Sequence, residues 1–185
     1  MDNGEAGYRR FLDGDDEGIY ELVRDFSDSL TLYLYGICGD ITMAEEVMED
    51  TFAKLAIKKP SFKGKSSFKT WLYAIGRNVA LDYLRRESKR RYVPIDECAE
   101  VADDVVSLET SCIREERRIM LHRVMSRLNP DYRQVLWLVY FEGMSNGEAA
   151  IVMKKNRHQI ENLVYRAKNS LRSQLEKEGF VYEEL

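Results

Sequence analysis

Between Ser61 and Arg91 the chain sets nine lysines and arginines against two acids, Asp82 and Glu87, and threads Phe62, Phe68, Trp71, Tyr73 and Tyr83 among them. Cations at that density neutralise phosphates, and flat rings stack on unpaired bases, each stack being worth about 1–3 kcal/mol. A strand separated from its complement needs both, with a snug surface to offset the few kcal/mol that extruding a base costs. Ser66 and Ser67 offer hydroxyls to a base or phosphate, or cap a following helix. A second constellation lies further along. Ser145-Asn146-Gly147-Glu148 and Asn156-Arg157-His158-Gln159 are two capping boxes in close succession, with Lys154 and Lys155 left between them as a turn. A short helix from Asn146 to Met153, a tight turn and a longer basic helix form a helix-turn-helix pattern, whose second helix lies in the DNA major groove. On that helix Ile160, Val164, Ala167 and Leu171 make the buried row, leaving Arg157, His158, Gln159, Asn162, Arg166 and Lys168 outward. Gln and Asn pair bidentately with adenine and Arg with guanine, whereas Lys and the later Arg suit phosphates. An ordinary helical hairpin with a solvated basic face has the same spacing.

The charge is segregated. Residues 1–57 carry 4 basic and 14 acidic side chains, residues 58–91 carry 11 and 2, and residues 92–112 carry none and 6. Residues 154–177 are basic again, 7 against 2, so a net charge of −4 conceals two cationic zones with an acidic one between them. That pattern predicts a polyanionic partner touched at two places. Cys38, Cys98 and Cys112 lack zinc-site spacing and are expected to be reduced thiols. His122 and His158 have no nucleophile or ligand set around them, so neither an enzyme nor a metal or cofactor site is expected. No signal peptide opens the chain and no apolar run approaches the roughly 18 residues of a membrane span, which predicts a soluble cytoplasmic protein without membrane insertion.

The elements that position these residues are helices. Pro60, Pro94 and Pro130 fall where helical patterns stop or start. Ala44, Val47, Met48, Thr51, Phe52 and Leu55 follow one helical face opposite Glu45, Glu46, Glu49 and Asp50, with Asp40 or Thr42 as N-cap. A helix from about Ser66 to Arg90 buries Phe68, Leu72, Ile75 and Val79, and Trp71 is either core or platform. Residues 92–112, without a basic residue or firm periodicity, predict a linker. Helices resume at Ile113, and Asn129, Pro130 and Gly143 cap, open and end the helix before the capping boxes. Two small all-helical domains joined by an acidic tether are the predicted architecture.

The segments DITMAEEVMEDTFAKL, FKGKSSFKTWLYAIGRNVALDYLRR and LNPDYRQVLWLVYFEGMSNGEAAIVM, with NRHQIENLVYRAKNSLRSQL, together resemble the bacterial sigma-70 family, specifically its extracytoplasmic-function group. The likeness spans nearly the whole chain in the family's order. It implies an all-α sigma subunit of RNA polymerase: a promoter-melting domain 2 over residues 1–91, a flexible linker over 92–112, and a helix-turn-helix domain 4 over 113–185. By that resemblance Asp40, Glu46, Glu49 and Asp50 meet the clamp coiled coil of core polymerase. Phe62, Lys63, Lys65, Ser66, Ser67, Lys69, Trp71, Arg77, Asn78, Arg85, Arg86, Lys89 and Arg90 serve the minus-ten DNA. Ser145, Lys155, Arg157, His158, Gln159, Asn162, Arg166 and Lys168 serve the minus-thirty-five element. Asn78, Asp82 and Arg85 alternatively form an intrahelical network.

The chain departs from the family pattern at several positions. Glu49 stands where Gln is common, Met43 where an acid is, and Ala56 where Trp often sits; Lys154 replaces a turn glycine, and Glu161 and Leu163 replace basic or small polar residues. The linker either threads the polymerase as a nucleic-acid mimic or is a solvated spacer. The resemblance also implies core polymerase, promoter DNA and an anti-sigma factor as partners. A stand-alone helix-turn-helix regulator is the competing reading of the same motifs.

Overall fold

The computed structural model describes residues 3–90, 121 and 123–179. The acidic tether, the expected helix start at Ile113, His122, Cys98, Cys112, Arg91 and the side chain of Arg90 lie outside the described residues. Every regular element among the described residues is helical: α1 (Asn3–Leu12), α2 (Glu17–Cys38), α3 (Ile41–Lys58), α4 (Phe68–Arg90), α5 (Pro130–Leu136), α6 (Asn146–Met153) and α7 (Arg157–Lys177). The helix expected over NPDYRQVLWLVYFEG divides, because Trp137–Phe141 widens into a π-helical turn after α5. The Glu142 N–H bonds the Trp137 carbonyl at 3.0 Å, five residues back, and Trp137 stacks on Phe141 with centroids 4.5 Å apart.

Local chemistry sets the helix ends. Asp40, rather than Thr42, caps α3 by accepting from the Met43 N–H at 2.8 Å. Ser67 opens α4: its hydroxyl accepts from the Thr70 N–H at 3.2 Å and its carbonyl from the Trp71 N–H at 3.1 Å. Asn129 caps α5 with Pro130 in the first turn, where a missing N–H costs nothing. Gly39 ends α2 in the left-handed region at φ 78°, which a residue without Cβ adopts freely.

Helices α1 to α4 pack into one unit and α5 to α7 into another, and the two units share a continuous core because α6 lies on α4 and α5 on α2. Phe68 is fully buried inside a ring cluster of Tyr8, Phe26, Phe62 and Trp71, with centroids 5.6, 5.9, 5.7 and 5.5 Å from its own. Tyr8 is buried too, and its hydroxyl donates to the Pro60 carbonyl at 2.8 Å, tying α1 to the segment after α3. Within α4, Leu72 is buried as the periodicity predicts, but Ile75 and Val79 are only half-buried while Tyr73 and Ala80 are fully covered. Neighbours on more than one side of α4 widen its buried arc beyond a single stripe.

Helices α1 and α2 cross at Gly7 and Gly18. A Cβ on Gly18 stands 2.8 Å from the Phe11 backbone nitrogen and closer still to the Gly7 carbonyl oxygen. Backbone on both sides cannot yield as a flexible side chain would. Gly18→Ala is expected to lower stability by about 1–3 kcal/mol, seen as a lower urea midpoint at unchanged slope.

Candidate nucleic-acid interface

The segment before α4 forms an open loop. Lys63, Gly64 and Lys65 are exposed, Phe62, Ser66 and Ser67 half-buried, and Gly64 turns the chain at φ 64°. Phe62 packs on Trp71 at 5.2 Å, and Trp71 also meets Tyr8 at 5.3 Å while staying half-exposed, so this ring is both core wall and partly accessible surface. Further along α4, Arg85, Arg86 and Lys89 are exposed and Asn78 is half-buried. Arg85 bonds Asp82 at 2.9 Å, an exposed pair one turn apart that contributes little stability and instead orients the guanidinium.

On α3, Glu46, Glu49 and Asp50 are exposed on one flank. Glu46 accepts from the Tyr83 hydroxyl at 2.9 Å, which clamps α3 to α4, and Asp40 is occupied as the N-cap. A shallow cavity of about 180 Å³, lined by Asp50, Lys54, Val79, Asp82, Tyr83 and Arg86, marks where the acidic flank meets the basic one. Burial pushes the Cys38 thiol up to about 11, so it stays protonated and unreactive at neutral pH.

Both capping boxes form. Ser145 caps α6 with Glu148 returning to the Ser145 N–H at 3.0 Å, and Asn156 caps α7 with Gln159 returning to the Asn156 N–H at 2.8 Å. Lys154 takes the left-handed conformation at φ 53°, so a Cβ-bearing residue occupies the turn position where glycine is strain-free. The row Ile160 and Ala167 is buried, Val164 and Leu171 half-buried, and Arg157, His158, Gln159, Asn162, Arg166 and Lys168 are exposed together. They are not equally available. Gln159 has its carbonyl oxygen committed to the cap, which removes the acceptor half of a bidentate adenine contact. Arg157 bonds Glu161 at 2.9 Å, and His158 contacts the Asn162 amide at 3.0 Å. Lys155 pairs with Asp131 at 3.1 Å, and the Lys168 ammonium sits 5.9 Å from the Tyr140 ring.

A set of contacts between the two units carries no signal in the sequence motifs. The Ser67 and Thr70 hydroxyls each lie 3.2 Å from the same Glu148 carboxylate oxygen. Lys69 pairs with the Glu142 carboxylate at 2.8 Å and donates to the Glu142 carbonyl at 3.0 Å, and the Trp137 indole N–H also donates to that carboxylate at 3.0 Å. Arg77 is buried on α4, its Nε donating to the buried Gln134 at 2.9 Å. Arg77 therefore lies inside a protein contact in this arrangement, because α5 covers its part of α4.

Among the described residues no helix is long and apolar enough to cross a membrane. No described cluster of His, Cys, Asp or Glu has the grouping of a metal site. Residues 22–90 match the family model described as Sigma-70 region 2, and residues 118–171 match Sigma-70, region 4. The chain is 28% identical over 159 residues to the ECF RNA polymerase sigma factor BldN of Streptomyces coelicolor, covering 85% of this chain and 60% of that protein. It is 28% identical over 167 residues to the RNA polymerase sigma-H factor of Pseudomonas aeruginosa, covering 85% and 86%. The fold resembles CnrH solved in complex with the cytosolic domain of CnrY, with TM-score 0.68 at 22% identity over 95% of this chain and 99% of that one. It also resembles the sigma factor RpoE solved with the anti-sigma factor NepR from Bartonella quintana, with TM-score 0.65 at 23% identity, covering 85% of this chain and 96% of that one.

Hydrogen bonds from the Ser145 backbone, then from the Ser145, Thr70 and Ser67 hydroxyls, hold the Glu148 carboxyl below its ordinary value of 4.5 against the opposing effect of burial. Its stabilisation is complete above that value and disappears as pH falls through the lower folded one. The stability difference between wild type and Glu148→Gln, followed by urea unfolding, is expected to be constant from pH 7 to 5 and to shrink toward zero below 4.5.

Proposed function

Because the chain belongs to the sigma-70 family, as an RNA polymerase sigma factor of the extracytoplasmic-function group, we propose specific roles for its surfaces. The exposed flank of α3, Glu46, Glu49 and Asp50, contacts core polymerase, with Asp40 fixing the helix start. The loop from Lys58 to Ser67 and the first turns of α4 capture an unstacked base and the phosphates of the minus-ten strand. Arg85, Arg86 and Lys89 hold duplex phosphates at its upstream edge. The N-terminal part of α7 enters the major groove at the minus-thirty-five element. The single observation that supports this division best is the placement of the Phe62–Trp71 ring pair beside exposed Lys63 and Lys65, which supplies stacking and charge neutralisation in one loop.

The protein works in the cytoplasm, where its polymerase is, and has no catalysis of its own; the polymerase performs phosphoryl transfer. Since two proteins of this fold are solved with partner chains, one the cytosolic domain of CnrY and one the anti-sigma factor NepR, an anti-sigma factor is the regulatory partner we assign. Run-off transcription with core polymerase on fragmented genomic DNA tests the proposal. Defined transcripts that require both core and this protein are expected; tight specific duplex binding without core, and no transcript with it, would establish a stand-alone regulator instead.

The two DNA surfaces separate by mutation. Arg157→Ala is expected to relax discrimination at particular upstream base pairs by about 1–3 kcal/mol. Arg86→Ala is expected to weaken holoenzyme complexes on all promoters alike and to lower the slope of log K against log salt by about one. Binding measured by fluorescence anisotropy across a salt series and a panel of single-base promoter variants distinguishes them. Equal effects of both changes on every variant would remove the assignment.

A further inference from the structure

Arg157 is the first residue of α7, and its backbone is held on both sides. Asn156 accepts from the Gln159 N–H at 2.8 Å, Gln159 returns to the Asn156 N–H at 2.8 Å, and Lys155 is tied to Asp131 of α5 at 3.1 Å. The far end of the side chain is held as well, because Arg157 Nε donates to Glu161 Oε1 at 2.9 Å. Glu161 Oε2 lies 3.9 Å from His158 Nδ1, so both carboxylate oxygens turn toward outward-facing residues at the start of α7.

The pair has the wrong order to serve the helix. A carboxylate supports a helix best when it precedes its cation by four residues, and when it lies in the first turn, where the dipole favours negative charge. Here the cation comes first, at the opening residue, and the first turn of α7 holds no acid. Both side chains are exposed, 77% for Arg157 and 42% for Glu161, and an exposed pair contributes little to folding.

The bond does divide the donors of the guanidinium. It uses Nε and leaves the Nη1–Nη2 edge of the fork for another partner. That edge suffices for two parallel bonds to guanine O6 and N7. An unrestrained arginine at the mouth of a groove bonds a phosphate as readily as a base, and it gives up more rotamer freedom when it binds.

We propose that Glu161 is a positioning residue for base reading: it holds the Arg157 guanidinium by Nε, so that the Nη edge meets a guanine and not a backbone phosphate. The proposal rests on the placement of the N-terminal part of α7 in the minus-thirty-five groove. An acid on a DNA-facing surface is repelled by phosphates, so Glu161 lowers affinity for every sequence while raising the preference for one.

The test uses holoenzyme carrying the wild-type chain, Glu161→Ala, Glu161→Gln, Arg157→Ala or Glu161→Ala/Arg157→Ala. Anisotropy over a salt series measures binding to a labelled promoter mapped by run-off transcription and to its single-base variants across the minus-thirty-five element. Glu161→Ala is expected to lower discrimination about ten-fold at the same base pair as Arg157→Ala, and to add nothing to it in the double variant. It is also expected to steepen log K against log salt by about one, as the released Arg157 takes a phosphate. Glu161→Gln, whose amide oxygen still accepts from Nε, is expected to keep most of the discrimination. Full discrimination in Glu161→Ala, beside its loss in Arg157→Ala, overturns the positioning role and leaves α7 as the base reader. Equal losses in Glu161→Ala and Glu161→Gln overturn it too, since charge and not the bond is then responsible. So does a change at a base pair that Arg157→Ala leaves alone, which shows Glu161 reading a base itself, as a carboxylate reads cytosine. Unaltered base preference in Arg157→Ala removes the assignment of Arg157 to the groove, and the positioning role with it.

Discussion

The burial of Phe68 at the first residue of α4 is the constraint on which the rest of the molecule depends. Four rings from α1, α2, the preceding loop and α4 itself surround it, and burial of that size is worth roughly 3–5 kcal/mol against truncation to alanine. With Phe68 fixed and Ser67 capping the turn beneath it, the loop carrying Lys63 and Lys65 can leave the core in few directions. The same anchor sets the rotation of α4, and so decides that Arg85, Arg86 and Lys89 face solvent while Tyr73 and Arg77 face the second unit.

Charge segregation follows from that rotation. Helix α3 buries Ala44, Val47, Thr51, Phe52 and Leu55 between α2 and α4, which leaves Glu45, Glu46, Glu49 and Asp50 exposed along an edge that borders α4. The Tyr83–Glu46 bond and the cavity between Asp50 and Arg86 lie along the boundary. A chain of net charge −4 thereby carries an acidic flank and a basic one, and at physiological ionic strength exposed charges more than about 8 Å apart are largely screened from one another. Positive charge on α7 is tempered in the same way, because Glu161 pairs with Arg157 one turn away.

What was legible in the sequence was what is decided within a few residues. Asp40, Ser145 and Asn156 cap because an oxygen reaches an N–H three residues on, and Ile160 and Ala167 are buried because helical spacing puts them on one face. Helices α1 and α2 have no motif at their crossing, only two glycines whose significance depends on the chains meeting. The π-helical turn is not legible, because its i to i+5 bond leaves no compositional mark in WLVYF. The capping role of Glu148 is local and legible, but its second set of donors, Ser67 and Thr70, lies 81 and 78 residues away. No periodicity encodes a partner at that separation. The burial of Tyr73 is hidden for the same reason: the cover over it comes from elsewhere in the chain.

Beside the apolar core that the two units share, part of that cover is polar where it meets α4, and the mixture has a physical consequence. An apolar seam has no favourable alternative but itself, so it opens only when a partner replaces an equal area of hydrophobic contact. Ion pairs and hydroxyl–carboxylate bonds exchange almost evenly with water and with other oxyanions, because what the donors lose on one side they regain on the other. Lys69 gains a comparable bond from a carboxylate or a phosphate. Glu142 and Glu148 are delivered to Lys69, Ser67 and Thr70 within one chain, at the effective concentration of a tether. A seam built on exchangeable donors therefore opens at a lower cost in free energy than an apolar seam of the same area.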